Sequence, residues 1–267
     1  MFKGISNIFQ KSTKYSLVIS WGGTRGFYAL GILKALEEAG LRNQIEAIYG
    51  ISIWWLIAAY WSAGRSAQEI FDEYKDLETT HKDWLTLFST KNLLDNKLLA
   101  RRFKKDLPET FEELKIPTYI GATDMKTSRL IIFQKGKLLE PMLGTMALPG
   151  VFPSVEFEDY FLNDGGIVDN FPTQIARKKY PKNQIIGIAL NMFQKNKVPK
   201  NMIETLMLSL EIMMRKDIVE RVQEIEIAFY EKIDCGILEL DKKKRTKAFN
   251  QGYASGKETF ETIKKKK

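Results

Sequence analysis

Tyr15-Ser16-Leu17-Val18-Ile19-Ser20-Trp21-Gly22-Gly23-Thr24-Arg25-Gly26 begins as a short apolar, partly β-branched run and ends in a glycine-rich loop. Phe27 to Ala39 then sets Leu30, Leu33, Ala35 and Leu36 at helical spacing, and Gly40 stands where a helix C-cap is expected. The stretch predicts strand, tight turn, helix. The pattern repeats at once: Ile45 to Tyr49 is a second short apolar run, Gly50-Ile51-Ser52-Ile53-Trp54 a second turn, and Ile53 to Ala63 a segment apolar almost all round that ends at Gly64. Such a composition suits a helix buried against a sheet.

Further along, Ser66-Ala67-Gln68-Glu69 is a capping box opening a helix to about Leu77, since serine and glutamate three apart each satisfy an orphan backbone donor. His81 to Lys105 reads as a helical insertion. Pro117 to Thr123 and Arg129 to Gln134 predict a hairpin around Lys126-Thr127-Ser128, with later strands at Tyr160 to Asn163 and Ile185 to Leu190. Asn201 to Lys232 is expected to be a long helical stretch, broken near Arg215-Lys216-Asp217, whose stripe from Ile203 and Leu206 through Met213, Met214 and Phe229 is expected to pack in the core. The expected class is α/β: a mostly parallel central sheet with helices on both faces and some antiparallel strands.

At 267 residues, with no Pro/Gly/Ser-rich linker, the chain reads as one domain over 1–267. The single cysteine, Cys235, forms no internal disulfide framework, and Met1 to Lys14 lacks the apolar core of a secretory signal, so a reducing, cytoplasmic setting is expected. Ile53 to Trp61 is too short to cross a bilayer, which takes about 20 residues. The net charge of +8, with basic blocks at Lys242-Lys243-Lys244-Arg245 and Lys264 to Lys267, favours anionic partners; a solvated helix face and a soluble tail are the expected reading of those blocks, contact with anionic membrane the sharper one.

The first loop can present backbone N–H groups at a helix N-terminus, where negative charge is stabilised. It lacks the Gly-Lys-Ser/Thr ending of a Walker loop, and the second strand ends in Tyr49-Gly50 rather than in the acidic residue a dinucleotide site requires. Ser52 sits on a sharp strand-to-helix turn that would expose its hydroxyl, a nucleophile elbow; an ordinary N-cap fits the position equally well. The lone histidine, His81, lies in a polar stretch of the insertion, which argues against a Ser-His-Asp triad, and one histidine with one cysteine makes no typical zinc site. A base for Ser52 would then be a carboxylate. Asn163-Asp164-Gly165-Gly166 offers one at a strand end, with two glycines that permit close backbone approach, although an Asp-Gly pair is also a plain turn.

In order and spacing, the Gly22-Gly23-Thr24-Arg25-Gly26 loop, Gly50-Ile51-Ser52, Pro149-Gly150-Val151-Phe152-Pro153 and Asp164-Gly165-Gly166 resemble the patatin-like phospholipases over about Tyr15 to Leu190, with 201–267 a helical C-terminal part. The resemblance implies cleavage of lipid acyl esters with Ser52 as nucleophile and Asp164 as base. It also implies that amides near Gly22, Gly23 and Thr24 form an oxyanion hole, with Arg25 fixing the loop. No metal, organic cofactor or nucleic acid is called for; the expected partner is a lipid or acyl-ester substrate. Two residues depart from the family pattern. Trp21 stands at the first glycine of the oxyanion loop and Trp54 at the second glycine of the serine turn, so reduced or restricted turnover is expected, whereas Trp55 is expected in the core. Two other readings stay open: a non-catalytic lipid-binding protein on the same fold, suggested by the tryptophans, and a nucleotide-binding protein, suggested by the glycine loop alone.

Overall fold

The computed structural model describes residues 13–20, 22–52, 54–75, 97–190, 198–200, 202–216, 218–236, 239 and 241–265. Trp21, Ile53, His81 and the last two lysines lie outside them, as does most of the expected insertion.

The two strand-turn-helix repeats form as expected. β1 (Tyr15–Ile19) leads to α1 (Phe27–Glu38), and β2 (Ile45–Ile51) leads to α2 (Trp54–Ser62). The capping box opens α3 (Ala67–Tyr74): Ser66 Oγ accepts the Glu69 N–H at 3.2 Å and Glu69 Oε2 accepts the Ser66 N–H at 2.7 Å. α4 (Lys97–Asp106) precedes the hairpin of β3 (Thr118–Asp124) and β4 (Arg129–Phe133). After α5 (Leu139–Thr145) come a second hairpin, β5 (Val155–Phe157) and β6 (Tyr160–Asp164), then α6 (Thr173–Lys179) and β7 (Gln184–Ile188). α7 (Met202–Arg215), α8 (Ile218–Gln223), β8 (Ile227–Phe229) and α9 (Lys242–Lys265) complete the order.

The strands form one sheet in the order β5-β6-β3-β2-β1-β7-β8, with β4 also paired to β3. β3, β2, β1, β7 and β8 run parallel, while β4 and β6 are antiparallel to β3. Alternation along the central strands divides the core between the two faces. Leu17, Ile19, Ile48, Ile186 and Ile188 join a cluster with α1, α2, α3 and α9. Val18, Ala47, Tyr49, Ile185 and Ala189 join another with α6 and α8. α9 crosses α1 closely at glycines: a Cβ on Gly31 would lie 2.0 Å from Phe249 O, and one on Gly252 1.9 Å from Tyr28 O.

The C-terminal part corrects the expectation in three ways. The helical stretch stops at Gln223, and Ile227–Phe229 is a strand parallel to β7. Ile225 and Phe229 are four apart, which mimics a helical stripe, yet Ile227 and Phe229 are buried around a less buried Ala228, the alternation of a strand. The stripe on α7 is likewise not simply core: Met214 is buried, but Leu206 and Met213 are exposed. Of the basic block that opens α9, Lys242 and Lys243 are solvated as expected, but Arg245 is buried, donating to the carbonyls of Glu239 and Lys75.

Candidate active site

The register around β3 creates the site. Ile51, the last residue of β2, pairs with Gly121, and Asp164, the last residue of β6, pairs with the next residue, Ala122. Because β4 occupies one edge of β3 across Ile120 to Asp124, β2 and β6 share the other edge and meet there end to end. One parallel and one antiparallel neighbour therefore deliver Ser52 and Asp164 to the same point. On the other side of β2, Ile19 of β1 pairs with Gly50, so the glycine-rich loop leaves the sheet beside the serine turn.

Ser52 is buried and holds φ at +62°, a left-handed backbone uncommon for a residue with a side chain. Two contacts hold it there. A Cβ on Gly50 would lie 2.7 Å from Trp55 Cβ, so only glycine lets α2 fold back on β2 so sharply. The Ser52 N–H donates to Thr145 Oγ1 at 2.9 Å, and Thr145, buried at the end of α5, in turn donates to Gly121 O. Thr145 ties the serine turn to β3, and no motif in the sequence signalled it; its signal is only spatial. Trp55 packs in the core as expected, its indole N–H directed at Met142 O at 3.4 Å. Trp54 begins α2, but its side chain, like Trp21, lies outside the described residues.

Asp164 is fully buried and its backbone is clamped: its N–H donates to Ala147 O at 3.0 Å and its carbonyl accepts from Thr123 Oγ1 at 2.9 Å. Its Oδ1 accepts the Gly166 N–H at 2.9 Å, capping the short turn Gly165–Ile167. Gly165 is obligatory, since a Cβ there would lie 2.2 Å from Gly121 O. Burial pushes the carboxyl up to about 7, while the neighbouring Ser52 side chain and the hydrogen bond from the Gly166 amide oppose the rise. Asp164 Oδ2 makes no hydrogen bond among the described residues. Ser52 is the side chain beside the carboxyl, and acid–base pairs of this kind commonly reach full hydrogen-bond geometry only when substrate binds. Such a pair can exchange a proton near neutral pH.

The glycine-rich loop forms a short 3₁₀ turn over Gly23–Gly26 with Gly22 as its cap, so the N–H groups of Gly23 and Thr24 fall at its N-terminus, without intrahelical acceptors. Gly22 is pressed against the end of β7, where a Cβ would lie 2.4 Å from Leu190 Cβ. Neither side chain that follows is free to meet a ligand. Thr24 Oγ1 donates to Gly236 O at 2.6 Å, and the buried Arg25 donates to Cys235 O at 3.1 Å and Glu211 Oε1 at 2.8 Å. The loop is therefore braced from the C-terminal part of the chain. Ile51, Leu148, Val151 and Met214, with Leu130, Phe152, Ile167 and Leu210 against them, make a separate apolar cluster flanking Ser52 and Gly165.

Residues 17–177 match the family described as Patatin-like phospholipase, and the chain belongs to that family. It is 31% identical over 164 residues to the neuropathy target esterase sws of Drosophila persimilis, which covers 58% of this chain and 11% of that protein. The protein of the same name in Drosophila melanogaster is 29% identical over 167 residues, covering 60% of this chain and 12% of that one. The chain thus spans only about a tenth of the length of these relatives. Among solved structures, VipD from Legionella pneumophila superposes with a TM-score of 0.55 at 14% identity, over 94% of this chain and 67% of VipD, a likeness of fold.

Proposed function

We propose that this protein hydrolyses acyl esters of lipids through an acyl-enzyme on Ser52, with Asp164 as the base. The observation that carries the reading is the meeting of β2 and β6 on one edge of β3, which sets a strained serine turn against a buried carboxyl pushed up to about 7. Membership of a phospholipase family and similarity to proteins named esterases support lipid esters as the substrate class.

In the first half-reaction Asp164 takes the Ser52 proton as Oγ attacks the ester carbonyl. The N–H groups of Gly22, Gly23 and Thr24 hold the developing oxyanion, aided by the N-terminal ends of the turn and of α2. Arg25 acts at one remove, keeping the loop in place through Cys235 and Glu211. Protonated Asp164 then gives its proton to the departing alcohol; in the second half-reaction it takes one from the attacking water and returns it to Ser52 Oγ as the acid leaves. Residues 1–267 act here as one patatin-like domain, its C-terminal part completing the site rather than forming a separate unit.

The second reading, a lipid-binding protein without turnover, is favoured by Trp21 and Trp54 at positions where the family has glycine. Hydrolysis of p-nitrophenyl acyl esters by the protein and by Trp21→Gly/Trp54→Gly separates the two. Turnover in the unaltered protein excludes the second reading, and turnover confined to the double variant establishes it.

A further inference from the structure

α7 has two opposed faces. Inward, Glu211 pairs with Arg25 of the glycine-rich loop, and Met214 packs beside the Asp164 turn, its Sδ 3.2 Å from where a Cβ on Gly166 would stand. Asn170, just beyond that turn, donates to Met214 O at 2.8 Å. Outward, Met202, Leu206 and Met213 are 83%, 51% and 66% exposed. At 100° per residue they fall within an arc of about 40°. Leu206 marks where this face meets the site: its Cδ2 would lie 3.9 Å from a Cβ on Gly150, in the loop that supplies Val151 to the apolar cluster. Val198, four residues before Met202, is also exposed, and exposed lysines, Lys200 and Lys216, flank the helix.

We propose that the outward face of α7 is the surface on which this protein docks to an anionic lipid bilayer. Methionine and leucine side chains on one stripe of a helix, with cations at its margins, are the chemistry that inserts shallowly among acyl chains while engaging anionic headgroups. Large apolar side chains left this exposed on one arc of a helix are otherwise a liability for a soluble domain. The net charge of +8 gives the long-range attraction toward such a surface. The inference rests on the reading of Ser52 as a lipid acyl hydrolase nucleophile: a helix that touches both the glycine-rich loop and the Asp164 turn would seat the bilayer at the mouth of that site.

The test is flotation of the full chain with vesicles of phosphatidylcholine alone and of phosphatidylcholine with phosphatidylglycerol, in a Ser52→Ala background so that the lipid stays intact. Preferential binding to the anionic vesicles is expected. It should fall about tenfold or more in Met202→Ser/Leu206→Ser/Met213→Ser and several-fold in Lys200→Glu/Lys216→Glu. With Ser52 restored, Met202→Ser/Met213→Ser and Lys200→Glu/Lys216→Glu should hydrolyse a soluble p-nitrophenyl ester within about twofold of the parent, and thermal melts of these and of the triple variant show that they fold. Equal binding to neutral and anionic vesicles, or triple-variant binding equal to the parent's, overturns the proposal. So does a dimer in sedimentation that the triple substitution dissociates, which would assign the face to a second copy of the chain. Absence of ester hydrolysis by the parent tells against the Ser52 reading alone, since flotation reads the docking surface without turnover.

Discussion

Arg25 Nη1 donates to Glu211 Oε1 at 2.8 Å, with 6% and 13% of the two side chains exposed, so a residue of the glycine-rich loop is ion-paired to a helix that lies 186 positions later in the chain. Removing one member of a largely buried pair leaves the other charge without its partner. Glu211→Ala is expected to lower unfolding stability by about 3 kcal/mol. It should also reduce ester turnover about 10- to 100-fold by loosening the loop, with kcat falling more than KM rises. Urea unfolding and steady-state kinetics measure both, and Glu211→Gln, which keeps an acceptor, should lie between the two proteins.

Thr145 holds the serine turn by accepting the Ser52 N–H at 2.9 Å. Thr145→Val keeps the shape but leaves that buried donor, and the carbonyl of Gly121, without a partner. A loss of about 1–3 kcal/mol is expected, with a drop in kcat as the φ of +62° relaxes toward ordinary values. Unchanged kcat in a destabilised Thr145→Val would show that the turn is held by Gly50 and Trp55 alone.

Gly165 admits no side chain, because its Cβ would lie 2.2 Å from Gly121 O, a backbone atom that cannot swing aside. Gly165→Ala must push β6 away from β3 at the point where Asp164 is held. It should cost about 3 kcal/mol or more and abolish most activity, whereas Gly136→Ala, where φ is +75° but nothing lies within 4 Å, should lower stability without touching kcat. Thermal melts paired with ester kinetics separate the two effects.

Burial raises the Asp164 carboxyl to about 7, and this fixes two pH dependences of opposite sign. With Asp164 acting as the base in its carboxylate form, kcat/KM should rise with pH through about 7. Stability runs the other way. Between the ordinary carboxylate range and about 7 the folded chain holds a proton that the unfolded chain has released, so this residue's contribution is full at low pH and is lost as pH rises through about 7. Asp164→Asn should therefore be about 2–4 kcal/mol more stable than the parent at pH 8 and lack this part of the pH slope, while its turnover falls about 100- to 10,000-fold. Unfolding curves at pH 5 and pH 8 decide the point.

The two strand-turn-helix repeats were legible in the sequence because glycine punctuates each of them and the apolar runs between differ in period. The pairing of Ser52 with Asp164 was legible only through motif order: their residues lie 112 apart by number, and what joins them is the register Ile51 to Gly121 and Asp164 to Ala122, which no local pattern encodes. For the same reason Thr145 and Glu211 escaped notice, being an unremarkable threonine and glutamate until the fold brings them to the serine turn and to Arg25. β8 was hidden by coincidence of period, and the outer stripe of α7 by composition, since an apolar helical stripe reads alike whether it faces the core or solvent. Trp21 and the Trp54 side chain lie outside the described residues, so the departures they represent rest on sequence alone.

Hydrolysis of a p-nitrophenyl acyl ester series by the unaltered protein and by Ser52→Ala tests the central claim most directly. The Ser52–Asp164 account predicts turnover in the first, rising with pH through about 7, and its loss in the second. Ser52→Ala retaining the full activity of the parent would contradict it.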